Sequence, residues 1–254
     1  MKVAYLTRIH KESDLIYSNL LYHYNLGIRN FYITFNQSDD KTKQEAFRFF
    51  KDFDCMYHIY LDNDLEYTQP EQFNKMSKDA YDAGLKWQIP IDADELFYIK
   101  DMPLNDFILQ YDNHKYGFLV FKWIDYHGSE DELAFKWKTR QVTPRRESKI
   151  IVKWHPECKW GDGHHLLTAK RNKIAEISTN QGFYAHYPNR SKDQLEYKLK
   201  RIGKAFIDRF GKNSKRPQVK NYIKMQQNER YIDQIWQKVL DERSIVELTE
   251  EQIF

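Results

Sequence analysis

Four times within the first hundred residues, a short run rich in β-branched and aromatic side chains alternates with a segment of helical periodicity. Residues 2–9 (KVAYLTRI), 30–35 (NFYITF), 56–61 and a stretch within 86–98 (KWQIPIDADELFY) read as buried strands. Between the first two, Leu15, Ile16, Leu20, Tyr24 and Leu26 recur at helical spacing, with Ser13 placed to cap the start and Gly27 to stop the helix. Residues 43–53 and 71–85 read as two further helices, the second with Pro70 at its first turn. A rhythm of this kind closes through right-handed crossovers into a mainly parallel sheet. The expected fold class is α/β, a mostly parallel, Rossmann-like sheet flanked by helices.

Sheets of this type bind ligands at the carboxyl ends of their strands. Here those ends are Thr7-Arg8, residues 36–40, 62–64 and 92–95, so polar and acidic groups collect where a ligand is expected. After Pro103 the pattern changes to a short helix over 104–111, a strand over 117–126 (GFLVFKWIDY) and strands near 149–154 and 182–186. From Ser191 onwards the text is helical, with a break at 212–217. The expected organisation is a catalytic domain over 1–190 and a helical, basic extension over 191–254.

Composition narrows the classes. Cys55 and Cys158 are the only cysteines in 254 residues and have no CxxC partner, which excludes a disulfide framework or a four-cysteine zinc site. No run approaches 18 apolar residues, and the first residues lack an apolar leader, so the expectation is a cytoplasmic protein. The net charge of +3 conceals an uneven distribution. Residues 192–224 carry eleven Lys or Arg against three Asp or Glu, which leaves the remainder acidic. Leu195, Leu199, Ile202, Phe206 and Phe210 recur at helical spacing within that basic stretch. The stripe reads either as a face packed on the catalytic domain or as an amphipathic surface lying peripherally on an anionic membrane. No nucleic-acid-binding motif accompanies the charge.

The sharpest chemical feature is Asp92-Ala93-Asp94-Glu95. On an extended strand Asp92 and Asp94 point the same way. Two carboxylates suit Mg²⁺ or Mn²⁺, which leave positions open for phosphate oxygens. The competing reading is a surface turn, or a salt bridge to Lys86 or Lys100.

With these residues in view, the sequence resembles the GT-A glycosyltransferases, in their family 2-like and family 92-like group. Residues 7–12 (TRIHKE) and 21–27 (LYHYNLG) are similar to its first strand and helix. Residues 31–40 (FYITFNQSDD) are similar to its second strand and acidic turn, and 87–97 (WQIPIDADELF) to its DxD strand. Residues 126–129, 148–150 with His164-His165, and 185–187 with Arg190-Ser191 match downstream elements in order and spacing.

The resemblance implies a GT-A-type fold, a UDP- or GDP-linked sugar donor, and sugar transfer to a hydroxyl of a surface glycan or glycolipid, as in polysaccharide biosynthesis. Asp92 and Asp94 would hold Mn²⁺ or Mg²⁺ on the diphosphate, with His164, His165 or His186 completing the metal shell. Thr7 and Asn36, with Arg8 beside them, would line the nucleoside pocket, although the position of Asn36 is often Asp in such enzymes. Lys149 and Arg190 would contact donor phosphates. An inverting transfer needs a carboxylate base; Asp162, Glu157, Glu130 and Asp131 lie in loops after the DxD strand, and Asp162, between two glycines, is the preferred one. The alternatives are a metal-dependent phosphodiesterase or nucleotidyltransferase on the same carboxylates, and a non-catalytic protein that binds anionic surfaces through its basic segment.

Overall fold

The computed structural model describes residues 2–63, 68–128, 133–137, 139–141, 144–145, 147–161, 173–243 and 246–248. Strand β1 (Val3–Ile9) leads into α1 (Ile16–Asn25), followed by β2 (Asn30–Asn36), α2 (Asp40–Asp52), β3 (Met56–Asp62), α3 (Gln69–Asp82) and β4 (Trp87–Pro90). Then come β5 (Glu95–Ile99), α4 (Leu104–Leu109), the long β6 (Gly117–His127), β7 (Thr139–Gln141), β8 (Ser148–Lys153), β9 (Lys173–Glu176) and β10 (Gly182–His186). Helices α5 (Lys192–Phe210), α6 (Pro217–Gln227) and α7 (Tyr231–Arg243) and the short β11 (Val246–Leu248) complete the chain.

The expected architecture is present: a Rossmann-like α/β fold with helices on both faces of the sheet and a helical C-terminal segment. β3, β2, β1 and β4 lie side by side and parallel, and β8 adds antiparallel to β4. β6 pairs antiparallel with β8 through residues 117–122. Its far end then leaves the main sheet, pairing with β10 through Trp123, Ile124 and Asp125 and with β7 through Tyr126 and His127. One strand therefore joins three sets of strands.

Alternation along β1 shows why it forms where it does. Val3, Tyr5 and Ile9 face a core shared with Ile16 and Leu20 of α1 and Phe49 of α2. Ala4 and Leu6 face the opposite core, with Phe73, Met76 and Ala80 of α3 and Trp154 and Trp160. Both faces are buried, so the strand reads as a continuous apolar run. Helix boundaries shift by a few residues from the sequence expectation. Ser13 does not cap α1, which begins at Ile16 after a turn, whereas Asp39 does cap α2 by accepting the Thr42 N–H at 2.8 Å. Gly27 ends the α1 region at φ 105°, a conformation that glycine adopts without strain.

The apolar stripe of α5 is engaged by its neighbours. Leu195 and Leu199 cluster with Ile235, Trp236 and Val239 of α7. A Cβ at Gly203 would run into the Tyr222 side chain, so the glycine sets the close approach of α5 and α6. Among the described residues, no helix is long and apolar enough to cross a membrane.

Candidate functional site

The acidic residues do not continue a strand. β4 stops at Pro90 and β5 starts at Glu95, and the Glu95 N–H donates to the Asp92 carbonyl at 3.0 Å to close a turn between them. The turn is fixed from α1. The Asn19 amide donates to the carbonyl oxygens of Ala93 (3.0 Å) and Glu95 (2.7 Å), while its own oxygen accepts the Tyr5 hydroxyl at 2.7 Å. One helical turn on, His23 Nε2 accepts the Phe97 N–H at 3.2 Å, and Nδ1 lies 2.8 Å from the Asn19 carbonyl. A backbone N–H can only donate, so the His23 proton sits on Nδ1. Asn19 and His23 are both fully buried and were not singled out from the sequence. Their signal was there: two polar residues four apart on the apolar face of a helix.

Burial pushes the His23 imidazole down to about 3. Its folded affinity for a proton lies below the unfolded value, so the stabilisation is complete above about pH 6.5 and erodes as pH falls towards 3, at about 1.4 kcal/mol per unit. Urea unfolding between pH 7 and pH 4 should show a shallower decline for His23→Asn than for the unsubstituted protein. Parallel slopes would rule the assignment out.

The turn sends its carboxylates different ways, which corrects the expectation that Asp92 and Asp94 share one side. Asp92 accepts from Lys149 Nζ at 3.0 Å, and Lys149 also reaches Glu95 at 2.7 Å. Lys149 is only 1% exposed. Its ammonium is thus committed inside the turn instead of facing a cleft. Burial raises the Glu95 carboxyl to about 8 in spite of Lys149, with Asp92 and Asp94 adding to the rise.

Asp94 turns towards the C-terminal half of the chain. Lys198 of α5 lies 3.0 Å from its Oδ2, His186 Nε2 3.7 Å and Arg190 3.9 Å. The lysine partners of the acidic pair are therefore Lys149 and Lys198, not the neighbours in sequence, Lys86 and Lys100. Burial works against the Asp94 charge, but Lys198 and His186 hold its carboxyl below the ordinary range. His186, at the end of β10, lies with Nδ1 2.7 Å from Asp125 of β6. Burial lowers the imidazole, while burial of Asp125 is outweighed by His186 and Arg145, which hold that carboxyl down to about 2. An ionised Asp125 accepts the proton on Nδ1, and Nε2 faces Asp94 at 3.7 Å. Asp125, an acid inside the apolar run GFLVFKWIDY, is a second residue that the sequence reading passed over.

Arg190 is equally engaged, by Asp14 at 2.7 Å and by Glu12. Burial raises Glu12 to about 7, against the pull of Arg190. The adjoining cavity of about 630 Å³ is lined by Lys11, Ser13, Asp14, Arg190, Ser191 and Tyr197, among others.

Thr7, Arg8 and Asn36, expected from the sequence to line a nucleoside pocket, lie towards the ends of β1 and β2 beside β3. Thr7 and Asn36 are buried. The Asn36 amide donates to Asp62 at 3.0 Å, and Arg8 pairs with the same carboxylate at 3.0 Å. Thr68 adds its hydroxyl at 2.8 Å. Asp62 thus organises this edge. Glu157 lies exposed in the turn after β8, near His155. Asp162, His164 and His165, like Glu130 and Asp131, lie outside the described residues. Among the described residues, no group of three or more His, Cys, Asp or Glu is arranged to hold a metal ion.

No protein-family model matches the chain, and no curated protein does. Among solved structures it is similar to HddC from Yersinia pseudotuberculosis, at 10% identity and a TM-score of 0.43, over 78% of this chain and 99% of that one. It is also similar to a protein described as a glucose-1-phosphate thymidylyltransferase from Bacillus anthracis, in complex with sucrose. That match has 9% identity and a TM-score of 0.38, over 60% of this chain and 71% of that one. No residue role follows from likeness at this level.

Proposed function

We propose that the protein is a glycosyltransferase that moves a sugar from a nucleoside-diphosphate donor to an acceptor hydroxyl, with a divalent cation assisting. The observation that carries this reading is the facing of the Asp94 carboxylate and the Nε2 of His186 across 3.7 Å, with Asp125 fixing the ring from behind. That separation is too long for a hydrogen bond, and a cation seated between the two groups would take the place of the Lys198 ammonium on Asp94 Oδ2. Mg²⁺ and Mn²⁺ are commonly held by one or two protein groups plus substrate phosphates, so two donors are a sufficient contribution from the chain. The cation, when bound, would supply charge neutralisation on the leaving diphosphate.

In this reading the edge built by Thr7, Arg8, Asn36 and Asp62 receives the nucleoside, and Asp92 steadies the turn through Lys149. The bond from the anomeric carbon to the diphosphate oxygen breaks as the acceptor oxygen bonds to that carbon. The hydroxyl proton passes to a carboxylate. Asp162 is the base that the sequence favours; among the described residues Glu12 is a second candidate, since its carboxyl is raised to about 7 and its chain neighbours Lys11 and Ser13 line the cavity. A glycan or glycolipid would be the acceptor. A membrane-associated acceptor would place the basic outer faces of the C-terminal helices against the membrane surface.

The test is a panel of UDP- and GDP-sugars with and without Mn²⁺, read by thermal shift and by sugar release. Stabilisation by one donor, dependent on Mn²⁺ and accompanied by sugar transfer to water or to a glycan, is expected. Release of pyrophosphate from a nucleoside triphosphate and a sugar phosphate, with no sugar transfer, would assign the site to nucleotidyl transfer instead.

A further inference from the structure

Helix α5 brings a second charged side chain to the strand ends besides Lys198. Arg201, three residues further along, has a buried Nε with no hydrogen-bond partner, and it makes no ion pair among the described residues. The Nε of Arg8 at the end of β1 is likewise buried and without a partner, although Arg8 holds Asp62 through Nη2. Burial and the neighbouring Arg8 both act against the Arg201 charge. More positive charge adjoins them. Lys11 lies 4.6 Å over the Tyr197 ring, and that ring is stacked on His10 at 5.7 Å. Burial and the charges of Arg201, Lys11 and Arg8 push the His10 imidazole down to about 4, so it remains neutral. Nearby acids are committed elsewhere: Asp62 is shared by Arg8, Asn36 and Thr68, and Glu12 is held by Arg190.

Two guanidinium groups, each keeping a buried Nε–H without a partner and carried on elements that the Tyr197–His10 contact (2.7 Å) holds together, form a forked anion receptor without its anion. The strand ends are also where the fold seats ligands. We propose that Arg8 of β1 and Arg201 of α5 together bind a phosphate or diphosphate group, so that α5 is a wall of the ligand site and not an appendage to it. This deepens the function proposed above and rests on it only for the name of the ligand. The phosphate could belong to the sugar donor or to a phosphorylated acceptor, and the receptor chemistry is the same for both.

The experiment is calorimetric titration of the full chain, at fixed ionic strength, with inorganic pyrophosphate, UDP, GDP and decyl phosphate. Arg201→Gln is expected to weaken pyrophosphate binding at least tenfold and Arg201→Lys to restore part of it. The ligand-free Arg201→Gln protein should melt no lower than the unsubstituted protein, because the change removes an unpaired charge beside a like one. A purely structural Arg201 would instead lower the melting temperature and leave binding alone. Loss confined to pyrophosphate, UDP and GDP assigns the receptor to the donor; loss confined to decyl phosphate assigns it to the acceptor. Unchanged affinity for all four probes in Arg201→Gln, or no binding of any of them to the unsubstituted protein, overturns the proposal. Pyrophosphate binding that depends on Arg201, in a protein that accepts no nucleotide sugar, would uphold the receptor and remove the glycosyltransferase reading alone.

Discussion

Asp94→Asn is expected to keep the fold and to lose sugar transfer by at least about a hundredfold in kcat/KM, the scale on which a single charge-stabilising group acts in a transition state. Asparagine fills the same space and still offers an oxygen to Lys198, so the turn can persist. What it removes is the negative charge opposite His186 Nε2. The Mn²⁺-dependent part of the thermal shift should vanish with it. Asp92→Asn should fall less, because Asp92 spends its charge on Lys149 within the turn. Full activity in Asp94→Asn, with an unchanged response to Mn²⁺, would show that the cation site lies elsewhere.

The largest effect on stability is expected from Asn19→Leu. The amide serves three buried partners at once: the Tyr5 hydroxyl and the carbonyls of Ala93 and Glu95. Leucine has similar bulk but leaves all three without their hydrogen bond, at a combined cost of about 4 kcal/mol. Urea unfolding at pH 7.5 measures this directly. A loss below about 1 kcal/mol would mean that water replaces the amide, which a polar and roomy site allows and this fully buried one does not. Activity should fall further than stability alone explains, because the same bonds hold Asp94 in place.

How much of this was legible in the sequence depends on the range of the interactions. β1, β2 and β3 were readable because both sheet faces are buried and each strand is a dense apolar run bounded by turn residues. The acidic stretch misled because Ile89, Ile91 and Phe97 keep the two-residue register of one strand. The break after Pro90 is imposed by Asn19, more than seventy residues earlier, and no local pattern reports a side chain arriving from another element. The same holds for Lys198, which meets Asp94 across 104 positions, and for His186 and Asp125, which meet across 61. His186 was singled out in the sequence, whereas its partner Asp125 was not. Charge in the C-terminal segment was plain from composition, whereas only the folded chain shows that Lys198 and Arg201 turn inward to the strand ends while neighbouring lysines stay in solvent.

The sharing of β6 among three sets of strands has a mechanical result. Its first half is hydrogen-bonded into the main sheet, and its second half carries Asp125, whose grip orients His186. A twist of the main sheet therefore reaches, through the β6 backbone and the Asp125 side chain, the imidazole that faces Asp94. The orientation of the His186 ring is consequently tied to the main sheet through a single strand.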